Sequence, residues 1–414
     1  MERLHSFFGL FALAALAWVF SERRKGVRFR TLFTGMGLQI LFALLFLKLP
    51  GSQSFFLWLN GAVEALEEST RAGTGFVFGY LGGDPLPFDE RSPGLSYILA
   101  YRGLPLVLVI SALSALLYHW RIIPLVVKSF SWILRKAMGI GGVEGLGATA
   151  NVFVGMVESP LLIRPYLSGI SRSELFTIMT SGMATIAGTV MVLYASVLSE
   201  SIPGIMGHLL TASLISAPAA ITTSKLMVPE AGEPSTGKLE LPVQANSSMG
   251  AIAQGTVDGM RLLINIVAML VVLVAIVHLL NLLLGVFPDV FGEPITFQRL
   301  LGFVMAPVTW LMGIPWSEAQ LSGTLMGTKT VLNELLAYEE LARLPENMLS
   351  ARSELIMTYA MCGFANLGSL GIMIGGVGAM VPERREEIVG LGPKSIVAGT
   401  IATCMTGAVV GILC

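Results

Sequence analysis

Apolar positions gather along this chain into long uninterrupted runs rather than alternating with polar ones, and the runs match the roughly 20 residues of helix that cross a hydrocarbon core. Runs at residues 4–20, 31–49 and 95–118 predict three spanning helices. Residues 53–71 mix Phe, Trp and Leu with Glu64, Glu67 and Glu68, and residues 124–138 set Lys128, Arg135 and Lys136 into an apolar stretch. Both patterns predict amphipathic helices at the membrane interface. Further runs at 173–198, 205–227, 260–284, 353–376 and 396–413 bring the expected total to about eight spans.

Two stretches break the pattern. Residues 145–170 hold Asn151, Glu158, Pro160, Arg164 and Pro165 inside apolar sequence, and residues 297–338 hold Pro307, Pro315, Glu318, Lys329, Asn333 and Glu334. Each is too interrupted for a smooth span and predicts a re-entrant helical hairpin, because irregular backbone at membrane depth survives only where protein or water covers it. A weak internal repeat accompanies the hairpins. Ser173-Glu174-Leu175 leads to Gly182-Met183-Ala184-Thr185-Ile186-Ala187-Gly188, and Ser353-Glu354-Leu355 leads to Gly363-Phe364-Ala365-Asn366-Leu367-Gly368-Ser369. Thr185 and Asn366 fall at matching places, with one residue of slippage, in helices that small residues allow to unwind. The expected fold is therefore an all-α integral membrane protein with about eight transmembrane helices, two re-entrant hairpins, an inverted repeat and broken helices at the substrate site. Its expected organisation is a scaffold part (1–138), a first transport repeat of hairpin plus two spans (139–228), a loop with a scaffold span (229–295) and a second transport repeat (296–414). The polar stretch 229–248 divides the two halves.

Composition agrees. The chain is 54% hydrophobic and 13% charged, against roughly 25% charged in soluble domains, so lipid is its natural solvent. A net charge of −1 offers no field for nucleic acid. In the opening run Glu2 offsets Arg3 and the Ala-x-Ala triplets lie inside the apolar stretch, which suits a first span better than a signal peptide. Arg23, Arg24, Lys25, Arg28 and Arg30 crowd the loop that follows, which places it in the cytoplasm and the N-terminus on the other face. The three cysteines show no disulfide or metal spacing, and no phosphate-cradling loop, Ser/His/Asp set or metal cluster is visible. An enzyme, a cofactor and ATP-driven transport are therefore not expected.

Ionisable groups at membrane depth cost about 2.5–3.5 kcal/mol each, so they point to function. Glu158 and Glu334 qualify, each with a structural alternative: an ion pair with Arg164 for the first and with Lys329 for the second. Glu318, just after Pro315-Trp316, suits a capping role as well as a site role.

The segment Asn151-Val152-Phe153-Val154-Gly155-Met156-Val157-Glu158-Ser159-Pro160-Leu161 with Arg164-Pro165-Tyr166 closely resembles the first-hairpin signature of the concentrative nucleoside transporters. Gly327-Thr328-Lys329-Thr330-Val331-Leu332-Asn333-Glu334 is similar to the second-hairpin motif, and Cys362-Gly363-Phe364-Ala365-Asn366-Leu367-Gly368-Ser369 to the helix after it. The resemblance implies a homotrimer in the cell inner membrane in which a scaffold holds a moving transport domain. It also implies that Glu334, Asn366 and Ser369 hold the ribose hydroxyls, that Phe364 lies beside the sugar, and that Gly155, Met156, Val157 and Glu158 face the base. Asn151, Val154, Thr185 and Ile186 match the family's sodium site, with Thr185 where some relatives have serine. The implied activity is nucleoside import coupled to sodium. A proton-coupled nucleoside carrier, or the same fold serving another nucleoside-like substrate, is the alternative. One departure bears on the substrate. The family commonly has Gly-Gln-Thr/Ser-Glu-Ala-Pro in this hairpin, whereas Gly155 is followed here by Met156, Val157, Glu158, Ser159 and Pro160. Met and Val side chains cannot donate hydrogen bonds to a base. Base selection is then looser, different, or passed to other residues.

Overall fold

The computed structural model describes residues 2–49, 51–89, 96–198, 202, 204–232, 235, 247–289, 292, 294–345 and 347–414. Most of the loop expected at 229–248 lies outside the described residues. The fold is all-helical among the described residues. The chain opens with α1 (Glu2–Val19) and α2 (Phe29–Lys48), then α3 (Ser52–Phe78), an amphipathic helix rather than a span. A short turn of helix, α4 (Leu99–Arg102), leads into α5 (Leu106–His119), and α6 (Ile122–Met138) is the second amphipathic helix.

The first hairpin follows as α7 (Gly142–Asn151) and α8 (Glu158–Leu162). The span after it is broken into α9 (Arg172–Ala184) and α10 (Gly188–Leu198), and α11 (Ile205–Met227) returns. The sequence explains both ends of α9. Ser171 accepts from Glu174 N while Glu174 accepts from Ser171 N, a reciprocal cap that starts the helix. At Thr185 the backbone turns extended, and the helix does not resume until Gly188.

The second half repeats this order. A long span, α12 (Ser248–Leu284), precedes an amphipathic helix, α13 (Phe297–Leu311), and a hairpin, α14 (Trp316–Val331) with α15 (Glu334–Ala342). A broken span comes next, α16 (Ala351–Met361) and α17 (Leu367–Met380), and then α18 (Arg385–Leu413). Asn366 causes the restart at α17, because its Oδ1 accepts from Ser369 N at 2.7 Å and seeds a new helical turn. Three crossings, by α5, α9–α10 and α11, separate the two copies. That odd number inverts the second copy relative to the first.

Residues 297–338 thus do not form one hairpin. Pro307 lies inside α13 without ending it, and the hairpin proper starts beyond Pro315, which stands at the α14 N-terminus where a missing N–H costs nothing. Glu318 is a capping residue, with its carboxylate accepting from Ser350 N at 3.2 Å and Ser350 Oγ at 3.1 Å.

Packing divides the helices into two groups. α5 lies along α12, and the approach is close because Gly255 and Gly259 bring the α12 backbone onto Ser111 and Ala115. A methyl group at Gly255 would lie 2.7 Å from Ser111 O. The remaining long helices form the second group, in which α1 runs along α18, α2 along α11, and α9 between α11 and α18. α12 is nearly free of cover within one chain, with apolar residues such as Val271, Leu279 and Leu283 exposed.

On the face expected to be cytoplasmic, the loop after α1 is tied to the repeats. Glu22 pairs with Arg172 at the start of α9 (3.0 Å) and with Lys394 of α18 (2.5 Å), and Arg172 also reaches Glu387 (3.4 Å). Hydrogen bonds from Arg172 hold the Glu22 carboxyl down to about 2, and Lys394 adds to the effect.

Candidate functional site

The two hairpin tips and the two helix breaks meet at one cavity of about 140 Å³, closed on its third side by α12. Its chemistry is best built from the breaks, where backbone groups lose their helical partners.

At the first break, Asn151 ends α7 fully buried. Its Nδ2 donates to Gly147 O at 3.1 Å, but its Oδ1 has no hydrogen-bond partner among the described residues. That oxygen faces Gly182, where an added methyl would sit 3.4 Å away. Gly188 N donates to Phe153 O at 3.3 Å and stitches the hairpin tip to the break. Thr185 Oγ1 donates to Ser181 O at 2.8 Å, which leaves its own lone pairs free to accept. The carbonyls of Val154 and Ile186 receive no backbone N–H among the described residues. Asn151 and Val154 on the hairpin and Thr185 and Ile186 on the break it is stitched to therefore present neutral oxygens that accept no hydrogen bond among the described residues. Such a donor set suits a hard monovalent cation.

Between the junction and the cavity lies Gly155, whose φ of +110° a side chain would strain. A Cβ there would also meet Glu158 Oε2 at 2.6 Å, so glycine lets the tip fold beneath that carboxylate. Glu158 itself is exposed to the cavity and makes no ion pair with Arg164. Met156 and Val157 line the same wall. Met156 is 9% exposed with its Cβ against Gly182, and Val157 packs over Gly376 of α17.

At the second break a carboxylate takes the place of the neutral oxygens. Asn333 caps α15 by accepting from Leu336 N at 3.0 Å, which sets Glu334 in the first turn, buried and facing the cavity. Tyr194 of α10 donates to Glu334 Oε1, and Asn366 Nδ2 donates to Oε2 at 2.8 Å. Asn366 thereby has one end fixed on Glu334 and the other on the α17 backbone. Ser369 lies one turn on, and Phe364 borders the cavity from the break itself.

Lys329 does not pair with Glu334. It is fully buried, and its Nζ donates to Ala360 O at 2.9 Å and Thr403 Oγ1 at 3.1 Å. Ala360 lies in the last turn of α16, whose carbonyls the break leaves unpaired, so the ammonium caps a half-helix and binds the second hairpin to α16 and α18.

Among the cavity residues that the sequence reading does not single out, two carry hydrogen-bonding side chains that bear on the argument, Tyr194 and Asn265. Tyr194 sits in a run that reads simply as a span, and a phenol whose ring lies deep in an apolar helix was the available signal. Asn265 lines the cavity from α12, inside a stretch that reads as a clean span; a lone amide there was the signal.

Family models described as the Na+ dependent nucleoside transporter N-terminus and C-terminus match residues 8–81 and 208–411, and a model described as Gate, nucleoside recognition, matches residues 100–201. A Bacillus subtilis protein named as the uncharacterized transporter YutK is 36% identical over 100% of both chains. The nucleoside permease NupC of Helicobacter pylori is 32% identical, over 99% of this chain and 97% of that one. Human solute carrier family 28 member 3 is 35% identical over 100% of this chain, which spans 60% of the human protein's length. Among solved structures, CNTnw in an inward-facing substrate-bound state superposes with a TM-score of 0.89 at 32% identity, over 100% of this chain and 98% of that one. An outward-facing variant of CNTnw gives the same score.

Proposed function

The chain belongs to the concentrative nucleoside transporter family, whose members are multi-pass membrane transporters and not enzymes, and from that premise we propose that it is a sodium-coupled symporter importing nucleosides across the cell inner membrane by alternating access. One observation carries the reading. Two helix breaks flank a single cavity: beside the first, behind Gly155, lie neutral oxygens that accept no hydrogen bond among the described residues, and at the second a carboxylate held between a phenol and an amide faces the cavity itself.

Each half has a distinct task in this account. Sodium enters the junction of Asn151, Val154, Thr185 and Ile186, where side-chain and backbone oxygens replace its water. By pulling the first tip onto the α9–α10 break, the ion orders the wall formed by Gly155, Met156, Val157 and Glu158. Glu334 then accepts from the ribose hydroxyls, with Asn366 and Ser369 completing the contacts and Phe364 packing beside the sugar. A site built on such bonds rejects analogues that lack the hydroxyls. Movement of the repeats against α5 and α12 exposes the cavity to either side in turn. A homotrimer would cover the exposed apolar length of α12 and hold that frame still.

Coupling of this kind is a reciprocal free energy between ion and substrate. Nucleoside binding to purified protein, titrated at increasing sodium with choline balancing the ionic strength, should tighten by about 5- to 150-fold. Affinity that ignores sodium but follows pH would assign the coupling to protons instead.

A further inference from the structure

We infer that Asn265, on α12, reads the nucleobase in place of the amide and hydroxyl that the first hairpin lacks. This assignment rests on the nucleoside reading above and specifies how that site selects its substrate.

Apolar side chains line the base side of the cavity. Met156 is buried against Gly182 and Val157 is packed on Gly376, and neither side chain carries a hydrogen-bonding N–H or O–H. The first hairpin therefore offers a base an apolar wall and the Glu158 carboxylate, with no side-chain donor. Opposite that wall runs one stripe of α12, in which Leu262, Asn265, Met269 and Leu273 follow at helical spacing and all border the cavity. The two ends of the stripe can be located independently. Leu262 shares a second cavity with Glu158 and Val154, so it lies at the first hairpin. Met269 and Leu273 lie over Gly368, 3.3 and 3.1 Å from where its methyl would be, between Asn366 and Ser369 on the ribose side. Asn265 stands between these ends, one turn from Leu262 and one turn from Met269.

Its environment makes the amide conspicuous. Asn265 is exposed to the cavity, and its side chain makes no hydrogen bond to any described residue. An amide in a spanning helix normally finds a partner in a neighbouring helix, and here the space in front of it is the substrate's. Nδ2 can donate to a ring carbonyl while Oδ1 accepts from a ring N–H or an exocyclic amino group. The pair matches the edge of any base that presents a donor beside an acceptor. Because Asn265 belongs to α12 and not to a hairpin, the base would be read by the frame and the sugar by the moving repeat. Discrimination would then hold only in the conformation that brings the two together.

The test is competition for uptake into proteoliposomes by uridine, cytidine, thymidine, adenosine, inosine and guanosine, with wild type, Asn265→Leu and Asn265→Gln. Loss of a neutral hydrogen bond should raise the half-inhibition concentration of the preferred nucleoside about five- to tenfold in Asn265→Leu and flatten the order among bases. The sodium half-saturation and the requirement for ribose hydroxyls should not move, and Asn265→Gln should retain an order. A wild-type order in Asn265→Leu would overturn the assignment. Should Asn265→Leu not transport, protection of the detergent-solubilised variants against heat by the same six nucleosides gives the order directly, and an unchanged order there overturns it equally. If the wild type accumulates no nucleoside, the nucleoside reading fails before any variant is compared, and this assignment falls with it.

Discussion

Glu334 is held by two donors, the Tyr194 hydroxyl and the Asn366 amide, one on each carboxylate oxygen. The geometry makes Glu334→Gln a sharp probe. Glutamine keeps the volume but removes the charge and one acceptor oxygen, so Tyr194 can keep its contact only by turning its hydroxyl to accept, and the site loses its ionised acceptor. Hydrogen bonds to a charged acceptor contribute about 1.5–3 kcal/mol, so nucleoside affinity should fall by about 10- to 150-fold. Equilibrium binding in detergent measures it, and wild-type affinity in the variant would remove Glu334 from the ribose contacts. Residues of this kind were partly legible in the sequence. A carboxylate in an apolar hairpin announces itself by its cost, and Glu158 and Glu334 both border the cavity. Their surroundings were not legible, because neighbours along the chain suggested Arg164 and Lys329, whereas the two partners of Glu334 come from α10, 140 residues away, and from Asn366, 32 residues away. Lys329 likewise spends its charge on a carbonyl 31 residues on. Chain proximity says little where a hairpin tip inserts among distant helices.

Helices were read more securely than side chains, because a run of apolar residues has few alternatives in lipid. The breaks in α9–α10 and α16–α17 were marked by glycines with Thr185 and by Asn366, and those residues end or restart the helices. The second hairpin is shorter than the sequence suggests, because Pro307 and Pro315 look alike there. One is tolerated within α13 and the other begins α14. At this scale the ties on the expected cytoplasmic face have a measurable consequence. Glu22 joins the α1–α2 loop to α9 and α18, and its carboxyl titrates near 2 in place of its ordinary value of 4.5. A depressed carboxyl contributes stability above its unfolded value and loses it as pH falls through the folded one. Thermal stability in detergent should therefore decline between about pH 4.5 and 2, and Glu22→Gln should remove part of that slope while lowering stability near neutrality. A variant with the wild-type slope would show that the pairs do not fasten these elements.

The whole molecule joins two inverted copies whose breaks differ in chemistry. Among the described residues the first leaves neutral oxygens without donors, while the second carries its own buried cation, Lys329, and presents a carboxylate to the cavity. In the proposed function that asymmetry gives the mobile ion to one half and the sugar to the other, with the cavity between them as the place where the two are coupled. The central claim is that a sodium gradient drives a nucleoside uphill through this cavity. Its most direct measurement is accumulation of radiolabelled nucleoside in proteoliposomes under an inward sodium gradient, an inward proton gradient, or neither. The account predicts accumulation above the external concentration with sodium alone, abolished when the gradient is collapsed. Equal uptake under all three conditions, or accumulation with protons alone, would contradict it.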